Sequence, residues 1–173
     1  MNNKKRNALL IALIGTLSFT VEAVGLDKKI QSIAPHVKYR NRLKIARAVK
    51  GECVKRYNLD ANLVLSVIKV ESDFRIDAYN KSSMDYGLMQ VNHWHVSNRR
   101  LSVKKLLRSP RYNLRNGCLI LHYFVTRYSF GDAISRYNCG TGKGCVNWKA
   151  VKRYRRMVLR NYKMLTKKEL ENE

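Results

Sequence analysis

Residues 63–92 read LVLSVIKVESDFRIDAYNKSSMDYGLMQVN. Val64, Val67, Ile68 and Glu71 recur at i, i+3, i+4 and i+7, the spacing of one helix face. A helix over Ala61 to Asp73 therefore carries an apolar stripe that ends in a carboxylate on the core side. Burial disfavours the charged form of a carboxyl and raises its pKa, so Glu71 is expected to hold its proton near neutrality and to serve as a general acid. Lys69 faces elsewhere on the helix and Arg75 lies just past its end, so neither is expected to offset burial. Taken alone, a helix-end glutamate more often turns to water or caps a neighbouring backbone group. The segment beyond Asn80 shifts that balance.

Tyr86 to Asn92 is an apolar piece with two amides, introduced by the turn-prone Asn80-Lys81-Ser82-Ser83. Gln90 and Asn92 each offer a donor and an acceptor, the equipment for reading sugar hydroxyl and N-acetyl groups. Glu71-Ser72, then Gly87-Leu88-Met89-Gln90, then Tyr137-Asn138 with Gly140 resemble, in order and approximate spacing, the E-S, G-L-M-Q and A-Y-N-A-G motifs of the family 1 soluble lytic transglycosylases. The chain is most similar to the small members that serve specialised secretion and conjugation systems. Asn113-Leu114, Gly117-Cys118 and Leu121 resemble that family's N-I-x-x-G-A-x-x-L segment, so the likeness runs roughly from Cys53 to Val146.

The resemblance implies a mainly α, lysozyme-like fold and an enzyme that cleaves the MurNAc-GlcNAc bond of peptidoglycan without water. Glu71 would protonate the bridging oxygen, then take the proton of the muramyl 6-hydroxyl as a 1,6-anhydro ring closes. Ser72 would steady Glu71, Met89 would line the sugar subsites, Gln90 and Asn92 would bind substrate, and Tyr137 would hydrogen-bond near Glu71 with Asn138 supporting its turn. Gly87, Leu88 and Gly140 would shape the motifs. Arg136 and Cys139 stand where the family has alanine, which alters the far subsites. No cofactor or metal is implied, and His93 with His95 lacks a third ligand.

Ordinary glycoside hydrolysis uses two carboxylates. After Glu71 the nearby candidates are Asp73, which points away on a helix, and Asp77 and Asp85 in a loop. A goose-lysozyme-type hydrolase using one of the loop aspartates is the second reading. The third is a non-catalytic basic binder of wall polymer or nucleic acid, since the net charge is +23.

The first residues, Met-Asn-Asn-Lys4-Lys5-Arg6, precede an uncharged stretch from Ala8 to Val21 and then Val21-Glu22-Ala23. This pattern predicts a signal peptide over residues 1–23 and export to the periplasm or beyond. The uncharged stretch is shorter than the roughly twenty residues of a membrane span, so no stable membrane anchor is expected. Cleavage would remove three cations and one anion, lowering +23 to +21. Export argues against a nucleic-acid partner and favours glycan strands, with recruitment to a secretion, conjugation or pilus apparatus and action as a monomer. In an oxidising compartment Cys53, Cys118, Cys139 and Cys145 are disulfide candidates. Of three possible pairings, the short loop between Cys139 and Cys145 favours joining those two, which leaves Cys53 with Cys118.

In order, residues 24–41 are expected to be a basic, irregular extension and residues 42–173 the catalytic domain. Helices are predicted over Arg42 to Tyr57, after an Asp60 cap, over Tyr86 to Val91, after a Ser102 cap, and over Asn113 to Tyr128 following a break at Pro110. Further helices are predicted with Asp132 as cap and over Val146 to about Lys168, the last burying Trp148. No strand-period segment stands out.

Overall fold

The computed structural model describes residues 25–170, with side chains described through Lys167. The expected leader lies outside the described residues. Helix α1 is described over 25–33, and α2 (Tyr39–Ala48) continues through a π-helical segment, Val49–Val54, into α3 (Lys55–Tyr57). Then come α4 (Ala61–Ser72), the two-residue strands β1 (Tyr79–Asn80), β2 (Asp85–Tyr86) and β3 (Val91–Asn92), and the short helices α5 (His93–Asn98) and α6 (Val103–Arg108). Helices α7 (Pro110–Val125) and α8 (Phe130–Cys139), a 3-10 turn at Cys145–Asn147, and α9 (Lys149–Leu170) complete the order.

Helix α4 starts where Asp60 accepts hydrogen bonds from the backbone N–H groups of Asn62 and Leu63 at 2.7 and 3.4 Å, satisfying donors that a helix start leaves open. Leu63, Val64, Leu65, Val67 and Ile68 are all buried. This helix is hydrophobic nearly all round because α9 packs against it on one side and the π-helical segment on another. Ser66 and Asn62 are buried too, and Ser66 Oγ donates back to the Asn62 carbonyl at 2.6 Å.

The N-terminal stretch is not irregular. It is helical over 25–33, and Leu26, Ile30, Ile33, Ala34 and Val37 belong to the same core as α4. A buried ion pair fastens it: Arg42 Nε donates to Asp27 Oδ1 at 2.7 Å and Arg42 Nη1 to the Val37 carbonyl at 2.9 Å. Pro110 begins α7 instead of breaking the chain, because its missing N–H falls at the first helical turn and Ser109 Oγ accepts from Tyr112 N. Ser129, not Asp132, caps α8; the Asp132 N–H is the donor to Ser129 Oγ. Trp148 precedes α9 and is 61% exposed, so it is not buried by that helix.

Tyr86 to Val91 forms no helix. The three strands make one antiparallel sheet in which Tyr79 pairs with Tyr86, Asp85 with Asn92 and Tyr86 with Val91. Left-handed backbone at Gly87 (φ 75°) and Gln90 (φ 45°) reverses the chain between the last two strands. Gly87 is required twice over, because a Cβ there would lie 2.2 Å from Asn113 Nδ2 and 2.4 Å from the Leu106 carbonyl. Disulfides join Cys53 to Cys118 and Cys139 to Cys145, as expected. The first ties the π-helical segment to α7; the second closes the glycine-rich loop after α8.

Candidate active site

Glu71 sits in the last turn of α4, partly open to solvent, next to the fully packed Ser72. Directly after this helix Asp73 (φ 52°) and Phe74 (φ 61°) are both left-handed, an arrangement that costs backbone strain and is held by burial of the Phe74 ring. The Tyr154 hydroxyl, from the buried face of α9, donates to Glu71 Oε1 at 2.6 Å. Surrounding protein pushes the Glu71 pKa up to about 8; the Tyr154 hydrogen bond opposes this and the negative charge of Asp85 adds to it. The residue keeps some accessible surface, and burial among the protein around it is the main cause of the raised pKa. Lys69 is engaged with Asp73 in an ion pair, and Arg75 Nε donates to the Ser72 carbonyl, so neither cation neutralises Glu71.

Ser72 does not bond to Glu71. Its hydroxyl is placed to donate to the Leu88 carbonyl at 2.8 Å and to the Ile68 carbonyl at 3.3 Å, which pins the Gly87-Leu88-Met89-Gln90 turn to the helix end. Met89 does not line a surface subsite: its side chain is wholly buried, packed on Gly117 and 3.6 Å from Cys118 Sγ. Its backbone is what meets the site. The Met89 N–H donates to Asn113 Oδ1 at 2.9 Å, and its carbonyl accepts from the Tyr137 hydroxyl at 2.7 Å. Burial and the proximity of Glu71 raise the Tyr137 pKa well above its ordinary value, as they do for Tyr154, so both remain neutral hydrogen-bond donors.

Gln90 and Asn92 spend their amides inside the protein. Gln90 Nε2 donates to the Gly87 carbonyl at 2.8 Å and the Ala78 carbonyl at 3.3 Å. Asn92 Nδ2 donates to Asp85 Oδ1 at 2.7 Å and the Ser83 carbonyl at 3.0 Å, and its Oδ1 accepts from Trp94 N. Asp85 is thereby oriented by Asn92 and by the Ser83 hydroxyl. Asn138 is exposed, and Gly140 ends α8 at φ 77°, ψ −152°, a conformation open only to glycine. Asp73 is occupied by Lys69 and by His36 at 3.3 Å, which removes it from consideration as a second acid. Among the described residues no set of three His, Cys, Asp or Glu side chains is placed to hold a metal.

Two participants were not singled out from the sequence. Tyr154 falls within the last predicted helix, over Val146 to about Lys168, with no local pattern to mark it. Tyr79, 46% exposed, stacks on the buried Tyr86 ring with centroids 5.1 Å apart and planes at 7°. Pairing of β1 with β2 places them together, and an alternation too short to stand out was the one signal.

A partly exposed acid on a core helix, a turn of Gly-Leu-Met-Gln bound to it and a tyrosine from a later helix define a lysozyme-like, mainly α domain. The chain belongs to the family described as the transglycosylase SLT domain, which matches residues 49–157. It is 31% identical over 94 residues to the protein IpgF of Shigella flexneri, covering 50% of this chain and 62% of IpgF. It is 29% identical over 126 residues to the invasion protein IagB of Salmonella typhi, covering 69% of this chain and 78% of IagB. A peptidoglycan-binding-like protein of Escherichia coli O157:H7 is 29% identical over 104 residues, 52% of this chain and 62% of that protein. The chain therefore spans less than two thirds of the length of IpgF.

Proposed function

We propose that the protein cleaves the MurNAc-GlcNAc bond of peptidoglycan, with Glu71 as the acid that protonates the departing oxygen. The observation that carries this reading is the placement of Glu71 at the end of α4, with its Oε1 accepting from the Tyr154 hydroxyl at 2.6 Å and the surrounding protein pushing its pKa up to about 8. Once it has given up its proton, the carboxylate accepts that of the muramyl 6-hydroxyl, and the product ends in a 1,6-anhydro ring. Electrons and protons balance without water, and one carboxylate suffices. Tyr154 and Tyr137 keep Glu71 and the Met89 carbonyl in register. The exposed Tyr79, backed by the buried Tyr86 ring, provides an aromatic surface for a sugar ring, while Gln90 Oε1 and the exposed Asn138 are left to meet substrate hydroxyl or amide groups. Invasion protein IagB as a relative favours recruitment to a secretion or conjugation apparatus. The disulfides favour an extracytoplasmic location, reached through a leader over residues 1–23.

A second reading has a specific observation behind it. Asp85 is close enough for its charge to raise the Glu71 pKa, and Asn92 holds one of its oxygens. A carboxylate so placed could orient a water and make the enzyme a hydrolase of the same bond. Digestion of purified sacculi, with mass spectrometry of the released ends, tests both readings. Anhydro-muramic ends support the first and reducing muramic ends the second. Salt-sensitive binding with no soluble fragments would leave a basic binding protein and overturn both.

A further inference from the structure

Helix α9 buries Val151, Tyr154, Val158 and Leu165 and turns its other side outward. No acidic residue occurs between Lys149 and Lys167. At its start Asn147, Lys149, Lys152, Arg155 and Arg156 line an open depression of about 490 Å³. Arg155 has one loose carboxylate neighbour, Asp132 at 3.7 Å; among the described residues Lys149, Lys152 and Arg156 pair with none. Elsewhere the same fold neutralises clustered cations, setting Arg56, Arg111 and Arg115 around the buried Glu52. Four cations gathered about one hollow repel one another, and among the described residues only the Asp132 contact to Arg155 offsets this. An external anion would offset the rest.

Phosphate suits this hollow. A lipid phosphodiester keeps its single negative charge at every pH near neutrality, and an arginine fork takes its two free oxygens as a pair. The edges of the basic face are apolar: Trp148 is 61% exposed beside the depression, and Met157 and Met164, one heptad apart on α9, are 45% and 42% exposed. A soluble polyanion needs no such border. An interfacial helix uses cations for the headgroup layer and Trp or other apolar side chains for the acyl boundary. We infer that this face of α9 docks on an anionic membrane surface, with the depression seating a lipid headgroup phosphate.

Cosedimentation with phosphatidylglycerol–phosphatidylcholine vesicles tests the assignment, comparing Lys152→Ala/Arg156→Ala with Lys44→Ala/Arg47→Ala. The second pair is exposed on α2 and removes equal charge. At about 1 kcal/mol per cation near an anionic surface, the α9 pair should weaken binding roughly thirtyfold. The α2 pair should leave it nearly unchanged, and Trp148→Ala should weaken vesicle binding most visibly in high salt. Equal losses from the two pairs, or no vesicle binding by the parent protein, would overturn the proposal. Inorganic phosphate titrated alone should bind far more weakly than vesicles. Equal affinity would assign the hollow to a soluble phosphate compound instead. Digestion of lipid-free sacculi should be the same for the parent and the α9 pair, so failure of this inference and failure of the catalytic reading are told apart.

Discussion

Glu71 is neutral in the folded protein between its ordinary pKa near 4.5 and about 8, while in the unfolded chain it is ionised over that range. The folded state thus binds the extra proton, and the stability this contributes is complete below pH 4.5 and lost as pH rises to about 8. Glu71→Gln keeps an acceptor for the Tyr154 hydroxyl and never ionises. It is expected to lower murein cleavage by about 10²–10⁴-fold. At pH 8 it should be more stable than the parent by on the order of a few kcal/mol, read as a higher melting temperature, with the gap closing at pH 4. Parent activity should fall as pH passes through about 8, because the starting acid is lost. In Tyr154→Phe the hydrogen bond that holds the Glu71 pKa down is gone, so the alkaline limb of the pH-rate profile should move to higher pH while the maximum rate falls. A profile that does not move would show that Tyr154 only packs. The position of Glu71 at the end of an apolar stripe was readable from spacing. Its partner was not, since Tyr154 lies 83 residues further along and only the packing of α9 on α4 brings it close.

At the scale of the elements, Asn113 is the pin. From the first half of α7 it accepts from Met89 N and donates to the carbonyls of Tyr86 and Leu106 at 2.8 and 3.2 Å, so one buried side chain joins the motif turn, β2 and the end of α6. Asn113→Ala would strand three backbone groups and should destabilise the fold by about 2–4 kcal/mol, with cleavage falling as the turn loosens. Gly87→Ala should cost at least about 2 kcal/mol, because a positive φ and contact with that same Asn113 and the Leu106 carbonyl coincide there. Thermal melts of both variants, with end-group analysis of any residual product, check these values. The turn was expected to be helical because Leu88, Met89 and Val91 form an apolar run too short to reveal its period. Its real shape depends on a hydrogen-bond partner 24 residues downstream.

Across the whole molecule, Glu52 and the disulfides decide resistance to acid and to reduction. Burial would raise the Glu52 pKa, but hydrogen bonds and charge from Arg115 and Arg111 outweigh it and hold the value at about 2. The Glu52 side chain is only 2% exposed, yet it lies just beneath arginines that are themselves largely solvated. Its stabilising contribution is therefore present above pH 4.5 and lost as pH falls toward 2. Glu52→Gln should flatten the acid limb of the stability curve, with a loss at neutral pH on the order of 1–3 kcal/mol after allowing for solvent screening. Reduction of Cys53–Cys118, which spans 65 residues, should lower stability by about 2–5 kcal/mol. Opening the Cys139–Cys145 loop should cost less, since so short a loop closes readily. Denaturant titrations of the corresponding paired Cys→Ser variants separate the two.

Local pattern alone determined a good deal of this protein: helix α4 with its Asp60 cap, Glu71 at the end of its stripe, the Ser102 cap, the long amphipathic α9 and the short-loop disulfide. Each depends on residues a few positions apart, where helical period, capping chemistry and loop length are sufficient physics. Tertiary structure alone decided that Ser72 bonds to the turn and not to Glu71, that Met89 is core, that Gln90 and Asn92 turn their amides inward, and that residues 25–37 complete the hydrophobic centre. In these cases a polar or apolar side chain had several acceptable local fates. The choice fell to partners brought from distant parts of the chain, where an unsatisfied donor or an unfilled volume would have cost more than the alternative.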